Sequence, residues 1–303
     1  AFVLLLVKLA QEAGATIKFN APVQKLIIEN NEVKGVVVNN KKIFSDLVID
    51  SSGIDSAFRK EVAKIFNITE KIDENDVFTV YRAFVKIMDG EKLPKNHKKK
   101  VYLKYLGMPG ISWCICEPDG LVNILIGRVG EMHQSEFKNA LLKLKKANPV
   151  ISDEIVMGGK FGRIPVRHPL TKMVGKGYVT VGDAAFMTIP LTGSGISNAL
   201  RAGHILAEEI IKNNSASVET LWKYQVKYYE KIGAEHFFTD YVKRTLLTSD
   251  NENIKYIFES GIITEKDLCN FSSGNIFKVT PQELVSKLSK CMKKSYFVMT
   301  ILS

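Results

Sequence analysis

The run Tyr178-Val179-Thr180-Val181-Gly182-Asp183-Ala184-Ala185-Phe186-Met187-Thr188-Ile189-Pro190-Leu191-Thr192-Gly193-Ser194-Gly195-Ile196 constrains the fold of this chain more than any other part of it. A buried strand runs into a small-residue turn that carries one acid, and a Gly-rich loop then opens a long helix. Gly182 and Ala184 let a ligand approach the backbone, and Asp183 offers a carboxylate suited to accepting hydrogen bonds from a sugar hydroxyl. Free N–H groups at Gly195 and Ile196, reinforced by the helix dipole, would stabilise negative charge on a bound cofactor. In the helix, Ile196, Ala199, Leu200, Gly203, Ala207 and Ile210 have the spacing of a buried stripe. Each part alone occurs in ordinary turns; together, in this order, they point to a cofactor site.

The rest of the chain is read around that run. Leu4 to Ala13 reads as a helix ended by Gly14, followed by a strand at Thr16–Phe19. Val23 to Ile28 and Val33 to Val38, separated by Asn30 and Asn31, form a hairpin. Ile43 to Asp50 reads as one further strand, ending in Ser51-Ser52-Gly53 before a helix over Ile54–Ile65. Val77–Ile87, Val101–Leu106, Ile111–Cys116 and Leu121–Val129 alternate as the strands of an antiparallel sheet. A helix over Gln134–Lys146 and an irregular stretch through Arg163-Ile164-Pro165-Val166-Arg167-His168-Pro169 lead back to the Tyr178 strand. Beyond it the chain is mostly helical, with helices at Gly195–Lys212, Val218–Leu247, Asn253–Ser260, Glu265–Phe271 and Pro281–Ser295.

Composition narrows the function classes. The 303 residues are 46% hydrophobic and 24% charged, which excludes a disordered or disulfide-stapled chain. A net charge of +10 favours anionic partners without naming one. Lys95, Lys98, Lys99 and Lys100 around His97 read as a solvated polar loop. Cys114 and Cys116 read as two buried small hydrophobes on one side of a strand, and Cys269 and Cys291 lie far away, so no metal site is expected. No segment reaches the roughly 20 apolar residues needed to span a bilayer, and a reducing, cytoplasmic setting fits.

The strand–Gly–Asp–Ala–Ala…Pro-Leu-Thr-Gly-Ser-Gly-Ile run resembles the flavoprotein group that contains p-hydroxybenzoate hydroxylase. More closely, it is similar to the geranylgeranyl reductases, especially archaeal reductases of digeranylgeranylglycerophospholipids, and the resemblance covers most of the chain. It implies an α/β (α+β) architecture: a Rossmann-like FAD-binding domain, incomplete at its N-terminus, an antiparallel-sheet substrate domain and a helical C-terminal region. The corresponding spans are 1–76 and 166–214 for the FAD domain, 77–165 for the substrate sheet and 215–303 for the helical region. The resemblance places Gly182 and Asp183 at the ribityl chain of FAD, and Pro190, Thr192, Gly193, Ser194, Gly195 and Ile196 by the flavin ring and pyrophosphate. It places Val23 near the adenine. Ser52-Gly53 stands where the family has an acid–Gly pair, followed by Ser56 and Arg59. Ile111-Ser112-Trp113 looks like the reductases' substrate-sheet signature with only the Trp kept, so Ile111 and Trp113 are expected to line an isoprenoid channel.

The family's opening Gly-x-Gly-x-x-Gly does not follow any strand here. Loss of an N-terminal portion is the simplest explanation, and a degenerate relative that binds FAD weakly is the other. The activity implied is saturation of isolated carbon–carbon double bonds by hydride from reduced FAD, with a geranylgeranylated lipid as substrate and an external donor, NAD(P)H or ferredoxin. An acid would supply the proton; the sequence does not identify it, His168 being one candidate with a surface or structural histidine as the alternative reading. No nucleic-acid partner is expected; peripheral contact with a membrane is. The rival readings are a flavin monooxygenase or halogenase on the same scaffold, an electron-transfer flavoprotein, which the scattered cysteines disfavour, and a non-catalytic prenyl-lipid-binding remnant.

Overall fold

The computed structural model describes residues 2–68, 72–92, 99–104, 106–107, 109–267, 270 and 280–294. In chain order the elements are α1 (Phe2–Glu12), β1 (Val23–Glu29), β2 (Glu32–Val38), β3 (Lys41–Phe44), β4 (Val48–Asp50), α2 (Ala57–Phe66), β5 (Val77–Ile87), β6 (Lys99–Leu103), β7 (Ile111–Cys116), β8 (Val122–Val129) and α3 (Gln134–Ala147). There follow β9 (Ile151–Pro165), β10 (Val174–Gly175), β11 (Tyr178–Thr180), α4 (Ile196–Asn213), α5 (Val218–Tyr228), α6 (Ala234–Thr248), α7 (Asn251–Glu259) and α8 (Pro281–Met292).

Three sheets organise these elements. β1, β2 and β3 form an antiparallel meander, β10-β11-β4 a small sheet in which β11 and β4 run parallel, and β6-β7-β8-β5-β9 a five-stranded antiparallel sheet. The expected hairpin forms because Asn30 and Asn31 take φ of 51° and 58°, the left-handed pair a two-residue turn needs. Asn39 and Asn40 repeat the device at 50° and 61°. The single strand expected over Ile43–Asp50 is broken instead at residues 45–47: β3, led in by that second turn, folds back on β2, and only Val48–Asp50 joins β11.

Four further expectations need correction. Thr16–Phe19 forms no strand. The stretch expected to be irregular opens on the last three residues of β9, Arg163, Ile164 and Pro165, a strand whose alternation is hidden by Gly158, Gly159 and Gly162 and by register shifts against β5. The long helix over Val218–Leu247 is interrupted by a π-helical turn at Tyr229–Gly233. Most of the α4 stripe faces outward: Ile196 is 68% and Leu200 47% exposed, and of the stripe Ile210 packs against the core, whereas Asn198, Ala202, Ile205, Leu206 and Glu209 form the buried face. α4 has apolar residues on two faces, and α5 packs against only one of them. Lys95, His97, Lys98 and Cys269 lie outside the described residues, as does part of the helix expected at Glu265–Phe271.

The five-stranded sheet is covered on both sides. Ala140 and Leu144 of α3 pack on Ala83, Val85, Cys114, Cys116, Ile124 and Ile126, so the paired cysteines are core residues. Burial pushes the Cys114 thiol up to about 12, which makes it unreactive. The opposite face carries Phe78, Val80, Leu125 and Val129, with Trp113, Ile164 and Leu247 against them. A separate core gathers Tyr178, Val179, Phe186, Met187 and Ile205 with Leu221, Tyr224 and Tyr228 of α5. These two cores meet at the loop between β11 and α4.

Candidate functional site

The turn after β11 is fixed by a buried polar scaffold. Asp50, at the end of β4 and 3% exposed, accepts hydrogen bonds from the Ser52 amide at 2.9 Å, Ser52 Oγ at 2.6 Å, Ser56 Oγ at 2.5 Å and the Tyr178 hydroxyl at 2.7 Å. Ser56 also caps α2 by accepting from the Arg59 amide. Arg59, 3% exposed, donates to the Ala184 carbonyl at 2.6 Å and the Ile54 carbonyl at 2.7 Å, which ties α2 to the Gly182–Ala185 turn. Phe186 closes the turn at φ 57°, a strained conformation for an aromatic residue, and its ring lies beneath the Arg59 and Arg167 guanidiniums at 4.7 and 5.5 Å. Sequence reasoning singled out Arg59 and Ser56 but not Asp50. Its only signal was an acid closing a strand ahead of a serine cap.

On that scaffold Asp183 is half-buried, and burial raises its pKa. Its carboxylate has no hydrogen-bond partner among the described residues, so it can accept from a ligand hydroxyl. Gly182 takes φ 63°. A Cβ on Gly195 would lie 2.6 Å from Thr188 Cγ2 and 3.1 Å from Asp183 Oδ1, so only glycine fits where α4 begins. No side chain caps that helix start, which leaves its first amides directed at the loop. A carboxylate seeking hydroxyl donors, beside an uncapped helix N-terminus, fits the ribityl and phosphate groups of FAD. Among the other expected residues, Ile196 is exposed, and Val23 stands at the exposed start of β1, opposite Val38.

Pro190, Thr192, Gly193 and Ser194 turn toward the sheet. With Leu191 they form one wall of a cavity of about 640 Å³ whose other walls are the sheet face, with Ile111, Trp113 and Leu125, and the helical residues Leu246, Leu247, Ile254 and Phe258. The loop residues and substrate-sheet residues named from sequence therefore share one cavity. The lining is mostly apolar, and its size is that of a typical small-molecule site. Two lysines in its wall are engaged: Lys104 donates to the carbonyls of Leu247 and Ser249 at 3.2 and 2.5 Å, and Lys243 to those of Asn75 and Val166.

A buried charge network braces α6 above the cavity. Asp76, 2% exposed, pairs with Arg167 at 3.4 Å and Arg244 at 2.6 Å; Asp240 pairs with Lys243 at 2.9 Å and Arg244 at 3.0 Å. Burial pushes the pKa of Asp240 up, but hydrogen bonds from His168 and Lys243 and the charges of Lys243 and Arg244 outweigh it and hold the carboxyl well below its usual range. His168 is clamped in this network. Its Nδ1 lies 3.1 Å from Asp240 Oδ2, its Nε2 2.8 Å from Arg167 Nη2, and its ring stacks on Phe237. Because a guanidinium only donates, Nε2 accepts and Nδ1 carries the proton. His168 is not among the cavity's lining residues, and both ring nitrogens are occupied.

No protein-family model matches the chain. It is 27% identical over 278 residues to a digeranylgeranylglycerophospholipid reductase of Sulfolobus acidocaldarius, covering 88% of this chain and 61% of the relative. It is 29% identical over 264 residues to digeranylgeranylglycerophospholipid reductase 1 of Methanococcoides burtonii, covering 82% and 61%. The chain thus spans about three fifths of the length of these curated relatives. Among solved structures, a geranylgeranyl bacteriochlorophyll reductase-like protein from Thermoplasma acidophilum superposes with a TM-score of 0.73 at 22% identity, over 97% of this chain and 71% of that one. The flavin-dependent brominase Bmp2 superposes at 0.66 with 14% identity, over 95% and 73%. In sequence the chain is a relative of the digeranylgeranylglycerophospholipid reductases, and its fold is that of the reductase-like and flavin-dependent brominase structures.

Proposed function

We propose that this chain forms the flavin-contacting and lipid-binding part of an FAD-dependent oxidoreductase that saturates isolated double bonds of geranylgeranyl chains in membrane-lipid precursors. The observation that carries the reading is the shared cavity: Pro190, Thr192, Gly193 and Ser194 face Ile111 and Trp113 across one mostly apolar space. Names of the curated relatives support the lipid substrate.

Bound FAD would supply the hydride to one alkene carbon while the other takes a proton from an acid, with an external donor, a nicotinamide or a ferredoxin, supplying the electrons. The chain's own residues do the rest. Asp183 would hold the ribityl hydroxyls, and the α4 N-terminus would stabilise the pyrophosphate charge. Trp113, Ile111 and Leu125 would lay the prenyl chain along the sheet toward the loop, and the helical roof would keep water from it. His168 serves here as a brace for α6 through Asp240. The net charge of +10 suits a phospholipid presented at an anionic membrane surface, by peripheral contact. No helix among the described residues is long and apolar enough to cross a membrane.

The test is to supply the protein with FAD, reduce it with dithionite without oxygen, add a geranylgeranyl phospholipid and follow the lipid by mass spectrometry. Gains in steps of two hydrogens are expected. A gain of oxygen when air is admitted would assign the monooxygenase reading instead, and an unchanged lipid bound to colourless protein would assign the binding remnant.

A further inference from the structure

The face of the five-stranded sheet that lines the cavity changes character along its length. Near the loop it is apolar, for a Cβ on Gly193 would touch Ile164 and Phe78 at 3.7 and 3.8 Å. The next row, read across the paired strands, is Leu103, Ile111, Gly127, Val80 and Gly162. The row beyond is Val101, Trp113, Leu125, Arg82 and Lys160. Arg82 and Lys160 are direct cross-strand neighbours, so two like charges stand side by side on one face, an arrangement that destabilises a sheet unless an anion lies between them. From Phe78 to Arg82 is about 13 Å of strand, so the pair marks the end of the slot remote from the loop.

Arg82 is built into its position. Its Nε donates to Asn123 Oδ1 at 3.2 Å, and its guanidinium lies 5.1 Å from the Phe84 ring centre and 5.8 Å from that of Trp113. Asn123 is held in turn, accepting from Trp113 Nε1 at 3.3 Å and donating to Glu117 Oε1 at 2.8 Å. Glu117 is thus spent on the amide. Among the described residues neither Arg82 nor Lys160 has a carboxylate partner, although most neighbouring cations do: Lys86 pairs with Glu154 and Arg163 with Asp55.

We infer that Arg82 and Lys160 bind the phosphate of a prenyl lipid whose hydrocarbon chain occupies the cavity. The inference rests on the prenyl-chain reading above and adds a headgroup subsite to it. A guanidinium held through Nε presents its two remaining nitrogens as a fork, the geometry that takes a phosphate bidentately, with Lys160 supplying a second, mobile charge. An apolar slot with a cationic end selects a phosphorylated chain and sets which double bonds reach the loop.

The test compares binding of geranylgeranyl monophosphate, geranylgeraniol and inorganic phosphate by calorimetry to the wild type, Arg82→Gln, Arg82→Lys and Lys160→Gln. The wild type is expected to prefer the phosphorylated chain over the alcohol by about tenfold or more, a preference that shrinks with added salt. Arg82→Gln and Lys160→Gln should remove most of that preference and leave the alcohol's affinity unchanged, while Arg82→Lys keeps part of it. Lys160 is exposed and its replacement leaves the sheet intact, so the result does not hinge on the packing of Arg82 against Trp113. Preference retained in both Gln variants, or an equal loss for the alcohol, would overturn the inference. Inorganic phosphate binding as tightly as the prenyl phosphate would assign the site to free phosphate and overturn the headgroup reading. A wild type that binds neither prenyl probe would overturn the lipid reading itself, whereas alcohol binding without phosphate preference overturns only the subsite.

Discussion

Gly195 and Asp183 are the residues on which cofactor binding turns. Gly195→Ala places a methyl 2.6 Å from Thr188 Cγ2 and 3.1 Å from Asp183 Oδ1, so either the helix start or the carboxylate must move. The variant is expected to lose at least tenfold in FAD affinity and about 1–3 kcal/mol of stability, read by flavin fluorescence titration and urea unfolding. Asp183→Asn should weaken FAD by about tenfold with unchanged stability, because it alters acceptor strength but not shape. A second residue-scale prediction concerns His236, 2% exposed, whose Nδ1 has no partner among the described residues and whose Nε2 lies 3.1 Å from Asn198 Nδ2. Burial, helped by the charge of Arg201, lowers its pKa to about 4. Between pH 6.5 and about 4 the unfolded chain binds a proton that the folded one refuses, so stability falls as pH falls through this window, by up to about 3 kcal/mol. His236→Leu should flatten the slope of unfolding free energy between pH 7 and 4.5; an unchanged slope would exclude the assignment. Asp183 and Gly195 were legible in the sequence because a small-residue turn and a helix start adjoin in the chain. Asp50, Asp76 and Asp240 were not, since their partners lie up to 168 residues away.

At the scale of elements, the position of α6 over the cavity depends on the Asp76 and Asp240 network. Removing one carboxylate strands a buried cation, which costs more than the pair contributes. Asp76→Asn is therefore expected to destabilise the protein by about 3–5 kcal/mol in urea unfolding; a loss below 1 kcal/mol would show that Arg167 and Arg244 find other partners. Strands β2 and β7 could be read from alternation, because each presents one residue in two to a core, whereas β5 and β8, buried along most of their length, were legible as β-branched apolar runs between turn residues, and β1 through the Asn30-Asn31 turn that pairs it with β2. β9 could not, since its exposed edge and glycines erase the alternation, and neither could the split between β3 and β4, where the chain changes partner from β2 to β11 across residues 45–47. The α4 stripe was found by its period but assigned to the wrong side. Periodicity detects an apolar face without saying which neighbour covers it.

For the whole molecule, the central claim is that the loop after β11 and the cavity face of the five-stranded sheet form one reaction site. Each half was visible in the sequence, as the Gly-Asp…Thr-Gly-Ser-Gly run and as Trp113 on an alternating strand. Their junction was not, because it is made by contacts between distant parts of the chain: Gly193 against Phe78 and Ile164, and α6 and α7 over both. The most direct measurement blocks the cavity without touching the cofactor residues. Leu103 lines the cavity from edge strand β6 and is 37% exposed, so Leu103→Trp adds bulk there with little cost to the core. FAD-supplied wild type and variant are reduced anaerobically with a geranylgeranyl phospholipid, and lipid mass and flavin spectrum are recorded together. The account predicts gains of two hydrogens per double bond with the wild type and a loss of at least tenfold in that rate with Leu103→Trp, at unchanged flavin spectrum. Equal lipid reduction by both proteins, or none by a wild type that holds reduced flavin, would contradict it.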